Sequence, residues 1–319
     1  MIPTVRRILV AVDLAAPRDV AFDRALLLAR GRNAELCLLY THSARRVSRF
    51  AVAGEHFELE RVHSERSRLR TLLRSAEEEG VQVRVITAEG DAARAITAHA
   101  HLVMAELIVI ARDFGSSSLW RTTRVATTVG RSAHVPVLIV PSRRDAPVSK
   151  GTPFTKVVVA VDFTIASAVA LRVATGLIMQ GDGHGTLVHV VPHASPMVFS
   201  GSEAFGAIDD LRGQLAAAEQ RLRRTIPAGA LHRVKARVLA GVAGQGILDV
   251  AAEVDADLVV MGVPKRDRFD ELIFGSTFRK AVRRSLRPIL AVPVTAGAYP
   301  WKGDPSAYAV SDDRLLTAA

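Results

Sequence analysis

Cysteine is almost missing from this 319-residue chain, which has one, Cys37. A single thiol excludes an intramolecular disulfide framework and any zinc site built on several thiolates, and it fits a reducing cytosol. Aromatic residues make up only 5%, which argues against a platform that stacks nucleic-acid bases on rings. No apolar run reaches the roughly 18 residues that a membrane span needs. The opening MIPTVRRILVAVDLA sets a basic pair before an apolar stretch and so imitates a signal peptide. Asp13 interrupts that stretch and no small-residue cleavage site is clear, so it reads as a first buried strand of a cytoplasmic protein. Lysine is scarce too: only positions 150, 156, 235, 265, 280 and 302 carry it among 42 basic residues. Codon usage explains that bias better than an arginine-specific function.

What is present is the composition of a globular protein, 49% hydrophobic and 23% charged, with a length that suggests two domains of about 150 residues. The net charge of +10 divides into 23 − 16 = +7 through residue 150 and 19 − 16 = +3 beyond it. No block of like charge stands out. The excess supports loose attraction to anions and does not indicate a specific nucleic-acid site.

The chain repeats itself. RRILVAVDL (6–14) and TKVVVAVDF (155–163) are similar apolar runs that share an aspartate, Asp13 and Asp162, 149 residues apart. ELIVIA (106–111) matches DLVVMG (257–262) and Gly90 matches Gly241, both at an offset of 151; VPVLIVP (135–141) matches RPILAVP (287–293) at 152. Four anchors in one order at a nearly constant offset mark two copies of one domain, expected over 1–145 and 153–295. Residues 143–154 read as a linker, and 296–319 as a loose tail.

Within each copy continuous apolar runs alternate with helical periodicity. The second copy predicts strands at 156–162, 187–191, 234–241, 257–262 and 289–293. It predicts helices at 165–179, 203–225, 247–254 and 274–286, with Thr164 as the N-cap of the first. The first copy predicts strands at 7–13, 34–40, 81–87, 106–111 and 137–141, with helices at 20–30, 56–79, 92–103 and 123–133. Continuous rather than alternating apolar strands suit parallel sheets covered on both faces. The expected fold class is therefore α/β: two tandem, doubly wound, five-stranded parallel sheets with helices on both faces.

Ligands of open parallel sheets bind beyond the carboxyl ends of the strands, where strand order reverses. In the second copy those ends carry Asp162, then Gly262-Val-Pro-Lys265, then Gly275-Ser276-Thr277 opening a helix. Glycine lets the backbone approach an anion, and the free N–H groups of a helix start favour phosphate. An ordinary helix cap with turn glycines fits the spacing equally well.

Gly262, two residues, position 265, nine residues and then Gly275-Ser276 resembles the G-x2-G-x9-G-(S/T) pattern of the universal stress proteins. The resemblance covers both copies and includes the strand-one aspartate, DLVVMG and RPILAVP. It implies strand order 3-2-1-4-5 (the adenine nucleotide alpha-hydrolase-like fold) and, in many members, a bound adenine nucleotide: ATP, ADP or AMP, with or without Mg²⁺. Carried over residue by residue, Ala160, Val161 and Asp162 would line the adenine and ribose, and Val190 would flank the base. Met261 and Gly262 would lie under the ribose, while Gly275, Ser276 and Thr277 would hold phosphates. Lys265 replaces the second glycine, where it either adds a phosphate partner or fills the pocket, and Pro264 removes a donor. The first copy keeps Asp13 but has Ala111, Phe114 and Thr123-Arg124 in the motif region, so it is expected to be degenerate for nucleotide, with Arg112 and Arg124 candidates to occupy phosphate space. The resemblance also implies that the copies pair as an internal pseudo-dimer through 137–141 and 289–293, and two chains could pair again as a homodimer.

Other candidates are weaker. His184, His189 and His193 lack a completing ligand and read as structural or exposed. Gly181-Asp-Gly-His-Gly185 reads as a turn between helix and strand. Arg279, Arg283 and Arg287 recur at helical spacing and read as a solvated face, with an acidic partner, RNA or DNA as the sharper alternative. No Walker A loop, GxSxG elbow or SGGxDS-type stretch occurs, so no dedicated catalytic set is expected. The sequence thus predicts a nucleotide-binding regulator of the stress response. The alternative is a protein-interaction module of the same fold that binds no nucleotide, and an enzyme of the wider adenine-nucleotide-hydrolase superfamily is the third reading.

Overall fold

The computed structural model describes residues 5–14, 19–30, 33–42, 55–113, 119–142, 154–179, 181–192, 202–264 and 274–295. They fall into two compact units, one within Thr4–Pro153 and one beginning at Phe154.

The first unit runs β1 (Arg7–Ala11), α1 (Val20–Ala29), β2 (Glu35–His42), α2 (Glu55–Glu78), β3 (Val83–Glu89), α3 (Ala92–Leu102), β4 (Leu107–Asp113), α4 (Leu119–Ser132) and β5 (Val137–Ser142). Its strands are parallel in the order β3-β2-β1-β4-β5. The second unit runs β6 (Lys156–Ala160), α5 (Ile165–Met179), β7 (His184–Val191), α6 (Ser202–Arg224), β8 (Val234–Ala240), α7 (Ala243–Glu253), β9 (Leu258–Val263), α8 (Phe274–Arg284) and β10 (Ile289–Pro293). Its order, β8-β7-β6-β9-β10, is again all parallel. Both units are doubly wound, as the alternating pattern predicts.

The central strands form the core because they are apolar on both faces. Ile8, Leu9 and Val10 in β1, Val157–Val159 in β6 and Leu258–Val260 in β9 are all buried. The residue just ahead of the fourth strand ties each sheet to the start of its first strand. Glu106 accepts the Arg6 N–H at 2.5 Å, and Asp257 Oδ2 accepts from Thr155 N, Thr155 Oγ1 and Lys156 N at 2.7, 3.0 and 3.1 Å. The turns repeat as well. Gly90 and Gly241 have positive φ (101° and 133°), and so do Met104 and Asp255 (52° and 50°).

Three boundaries differ from the sequence reading by three residues or more. Helix α7 starts at Ala243 rather than 247. Gly244 and Gly246 hide its first turn, since each glycine weakens a helix by about 1 kcal/mol. Tertiary packing selects them: a β-carbon on Gly244 would stand 3.2 Å from Lys280 Cβ, and one on Gly246 would stand 3.2 Å from Val190 Cγ2. Strand β7 starts at His184 rather than 187, with Gly185 at a point where a β-carbon would stand 2.6 Å from Ile178 Cδ1. Helix α4 starts at Leu119 rather than 123.

Candidate functional site

The strand order of the second unit reverses between β6 and β9: the chain proceeds from β6 to β7 and β8, then crosses back to β9. The carboxyl ends of β6 and β9 are thus neighbours, with Ala160 opposite Met261. Asp162 lies just beyond β6, Gly262 lies near the end of β9, and α8 is the next described element along the chain, with Gly275, Ser276 and Thr277 in its first turn. The topology therefore gathers most of the sequence-predicted residues at one edge. Lys265 lies outside the described residues.

Asp162 is exposed, and its Oδ1 accepts from Thr164 N at 3.0 Å and Thr164 Oγ1 at 2.5 Å. Thr164 in turn caps α5, accepting the Ser167 N–H at 3.2 Å, so the N-cap prediction agrees with the geometry. The turn between them is made by Phe163, a non-glycine residue at φ 63°. Sequence reading passed over this side chain. Its ring meets the His189 ring at a centroid distance of 4.5 Å, and the Arg221 guanidinium of α6 sits 4.1 Å above it. His189 Nδ1 lies 2.8 Å from the Val161 carbonyl oxygen. Donation to that oxygen fixes the proton on Nδ1, a structural role for this histidine.

The apolar members of the predicted set are mostly buried. Val161, Val190 and Met261 are 6%, 7% and 5% exposed; Ala160 is half-buried. Val190 faces Gly246 of α7. Gly262 has a role the motif alone does not reveal. A β-carbon there would overlap the Ala166 carbonyl and the Ser167 amide nitrogen at the start of α5, so the glycine admits a helix backbone.

At the phosphate end of the predicted site, Ser276 and Thr277 are half-buried in the first turn of α8. Lys280 follows one turn later, and Arg284 Nη1 donates to Gln245 Oε1 of α7 at 3.0 Å. Helix N–H groups, two hydroxyls and nearby cations form a donor set suited to phosphate. Among the described residues no group of three His, Cys, Asp or Glu side chains could hold a metal ion. A Mg²⁺ ion brought by a polyphosphate could take a hydroxyl here as a ligand.

The first unit differs at the same edge. Matching the buried positions of α4 (Ala126, Val129, Gly130) and the following Ala133 to those of α8 (Phe278, Ala281, Val282) and the following Ser285 sets Thr123 where Gly275 stands and Arg124 where Ser276 stands. Arg124 is exposed. Arg112, at the place of Val263, is 1% exposed and the largest fully buried side chain among the described residues. Asp13 N donates to Asp19 Oδ2 at 2.9 Å, and Phe22 N to Asp19 Oδ1 at 2.9 Å. Burial pushes the Asp19 carboxyl up to about 6, against the pull of those two N–H donors.

Each unit is thus a doubly wound α/β domain whose third strand leads back to the far side of its first. The family model of the universal stress protein family matches residues 4–141 and 153–293. The chain belongs to that family, as a tandem member. Among solved structures it is similar to a universal stress protein from Archaeoglobus fulgidus DSM 4304: 20% identity, 90% of this chain, 96% of that one and TM-score 0.62. It is also similar to a functionally unknown protein from Pseudomonas aeruginosa PAO1: 16% identity, 93% and 96% coverage and TM-score 0.59. A universal stress protein solved in complex with cAMP matches over 44% of this chain and 98% of its own, at 18% identity and TM-score 0.29. No curated protein matches the chain. Among the described residues no helix is long and apolar enough to cross a membrane.

Proposed function

We propose that the second domain binds an adenine nucleotide, ATP, ADP or AMP, and that the protein acts as a nucleotide-responsive regulator of the stress response without a dedicated catalytic set. The base and ribose rest against Ala160, Val161, Asp162, Val190, Met261 and Gly262. The phosphates meet Gly275, Ser276 and Thr277, with Lys265 as a further contact. The observation that carries this reading is the gathering of Asp162 and the ends of β6 and β9 at the point of strand reversal, the position where open α/β sheets take ligands. In this reading the first domain, with Thr123 and Arg124 in the glycine-motif region, takes no nucleotide, and two chains assemble as a homodimer.

Titration calorimetry with ATP, ADP and AMP, with and without Mg²⁺, on wild type and Gly275→Trp tests it. Micromolar-range binding lost in the variant supports the reading. No heat at millimolar nucleotide overturns it. The second reading, an interaction module that binds no nucleotide, draws on the burial of Val161, Val190 and Met261. It expects that null result together with full function of Gly275→Trp.

A further inference from the structure

Helix α8 carries Arg279, Lys280, Arg283 and Arg284, all exposed, and no acidic residue. The fold does not require a cation at 279, 280 or 284. At the matching positions of the first domain, α4 has Thr127, Thr128, Arg131 and Ser132. There Thr127 and Ser132 turn their hydroxyls back onto the helix carbonyls of Thr123 and Thr128, both at 2.7 Å. The α8 arrangement sets like charges side by side. Arg279/Arg283 and Lys280/Arg284 are like-charged pairs at i, i+4, which repel, while the helix dipole favours cations only at Arg283 and Arg284 in the last turn. Among the described residues no carboxylate lies within ion-pair distance of Arg279, Lys280 or Arg284. Two of the four also line the seam between α7 and α8. Lys280 Cβ lies 3.2 Å from the β-carbon position of Gly244, and Arg284 reaches Gln245. Lys280 stands one helical turn from Ser276 and Thr277, and Arg284 one turn from Lys280, the spacing at which residues are neighbours on a helix surface.

We infer that this seam is the outer half of the nucleotide site: Lys280 and Arg284 hold the distal phosphates of a polyphosphorylated nucleotide and make the protein discriminate by phosphate number. The inference rests on the nucleotide reading above and deepens it. The first phosphate meets the first turn of α8, and each further phosphate lies along the cations. Affinity then rises from AMP to ADP to ATP, and the rise is steepest at low salt.

The test is calorimetry of the full chain with AMP and ATP at two salt concentrations, for wild type and Lys280→Gln/Arg284→Gln, with thermal melts confirming that the variant folds. The expected result is an ATP affinity lowered about tenfold in the variant, the size of two partly exposed charge-assisted contacts, with AMP affinity within about twofold of wild type. Wild type that binds both nucleotides, with a variant that loses neither or loses both equally, overturns this inference alone. Wild type that binds no nucleotide overturns the nucleotide reading and this inference with it. A single-stranded oligonucleotide that binds more tightly than ATP and is lost in the variant assigns the cations to nucleic acid, which also overturns the inference.

Discussion

Gly262 and Ala166 meet backbone to backbone: the α5 carbonyl occupies the space where a β-carbon on Gly262 would sit. The first glycine of the family motif therefore admits a helix as well as bordering the candidate site. Gly262→Ala should destabilise the second domain by about 1–3 kcal/mol, the usual range for overpacking. A melt would show this as a fall of about 2–10 °C for a domain of this size. Gly275→Ala, in the first turn of α8, should move the melt by less than a quarter of that. Equal losses would remove the distinction between the two glycines.

Thr164 links the exposed aspartate to the helix. Its amide and hydroxyl both reach Asp162, and its oxygen receives the Ser167 N–H. Thr164→Ala should cost about 1 kcal/mol through the lost cap, whereas Thr164→Ser should cost only a few tenths, because the hydroxyl remains. If Asp162 contacts the ribose, Thr164→Ala should also weaken nucleotide binding, because it frees the carboxylate to leave its turn. A variant that loses stability but keeps its nucleotide affinity would show that Thr164 serves the helix alone.

Much of this was legible before the structure. The repeat, the parallel sheets and nearly all element identities follow from unbroken apolar runs such as VVVAV and DLVVMG, because a strand covered on both faces has no polar side to display. Two of the misread boundaries, the starts of β7 and α7, lie at glycines. Gly185, Gly244 and Gly246 look like turn signals, yet each is placed by a neighbour in space: Ile178, Lys280 and Val190 respectively. The last two pairs are distant in sequence, and no local pattern encodes them. The candidate site was legible as a set of positions along the chain. Its interior was not. The stack of His189, Phe163 and Arg221 joins three elements, and the burial of Met261 and Val190 depends on helices that a motif does not contain.

Asp19 gives the first domain a titration near neutrality. Its carboxyl, lifted from the ordinary 3.8 to about 6 by burial, holds more proton in the folded chain than in the unfolded one between those values. Stability from this group therefore falls as pH rises through about 4 to 6 and stays reduced above. Asp19→Asn keeps a residue suited to capping α1 and removes the ionisation. Denaturant melts from pH 4 to 7 should show a flatter profile for the variant, with the gain over wild type largest at pH 7. A parallel profile would mean that Asp19 titrates as an ordinary carboxylate.

His134 should act in the opposite direction. It follows α4, edge-on to His101 with ring centroids 5.2 Å apart. Burial lowers its pKa below the usual 6.5, and the neighbouring imidazole lowers it further. A histidine that resists protonation in the folded chain binds fewer protons there than when unfolded. Its contribution is complete above about 6.5 and is lost as pH falls below that value toward the depressed folded pKa. The second domain has Leu286 at the matching position, so the fold accepts an aliphatic side chain there. His134→Leu should reduce the loss of stability on acidification between about pH 6.5 and 5, while leaving the loss from other groups in place. Proton NMR should find the His134 ring titrating below the usual 6.5 in wild type. A His134 that titrates at or above 6.5 would remove this group from the pH dependence and leave Asp19 as the titrating group to follow in the first domain.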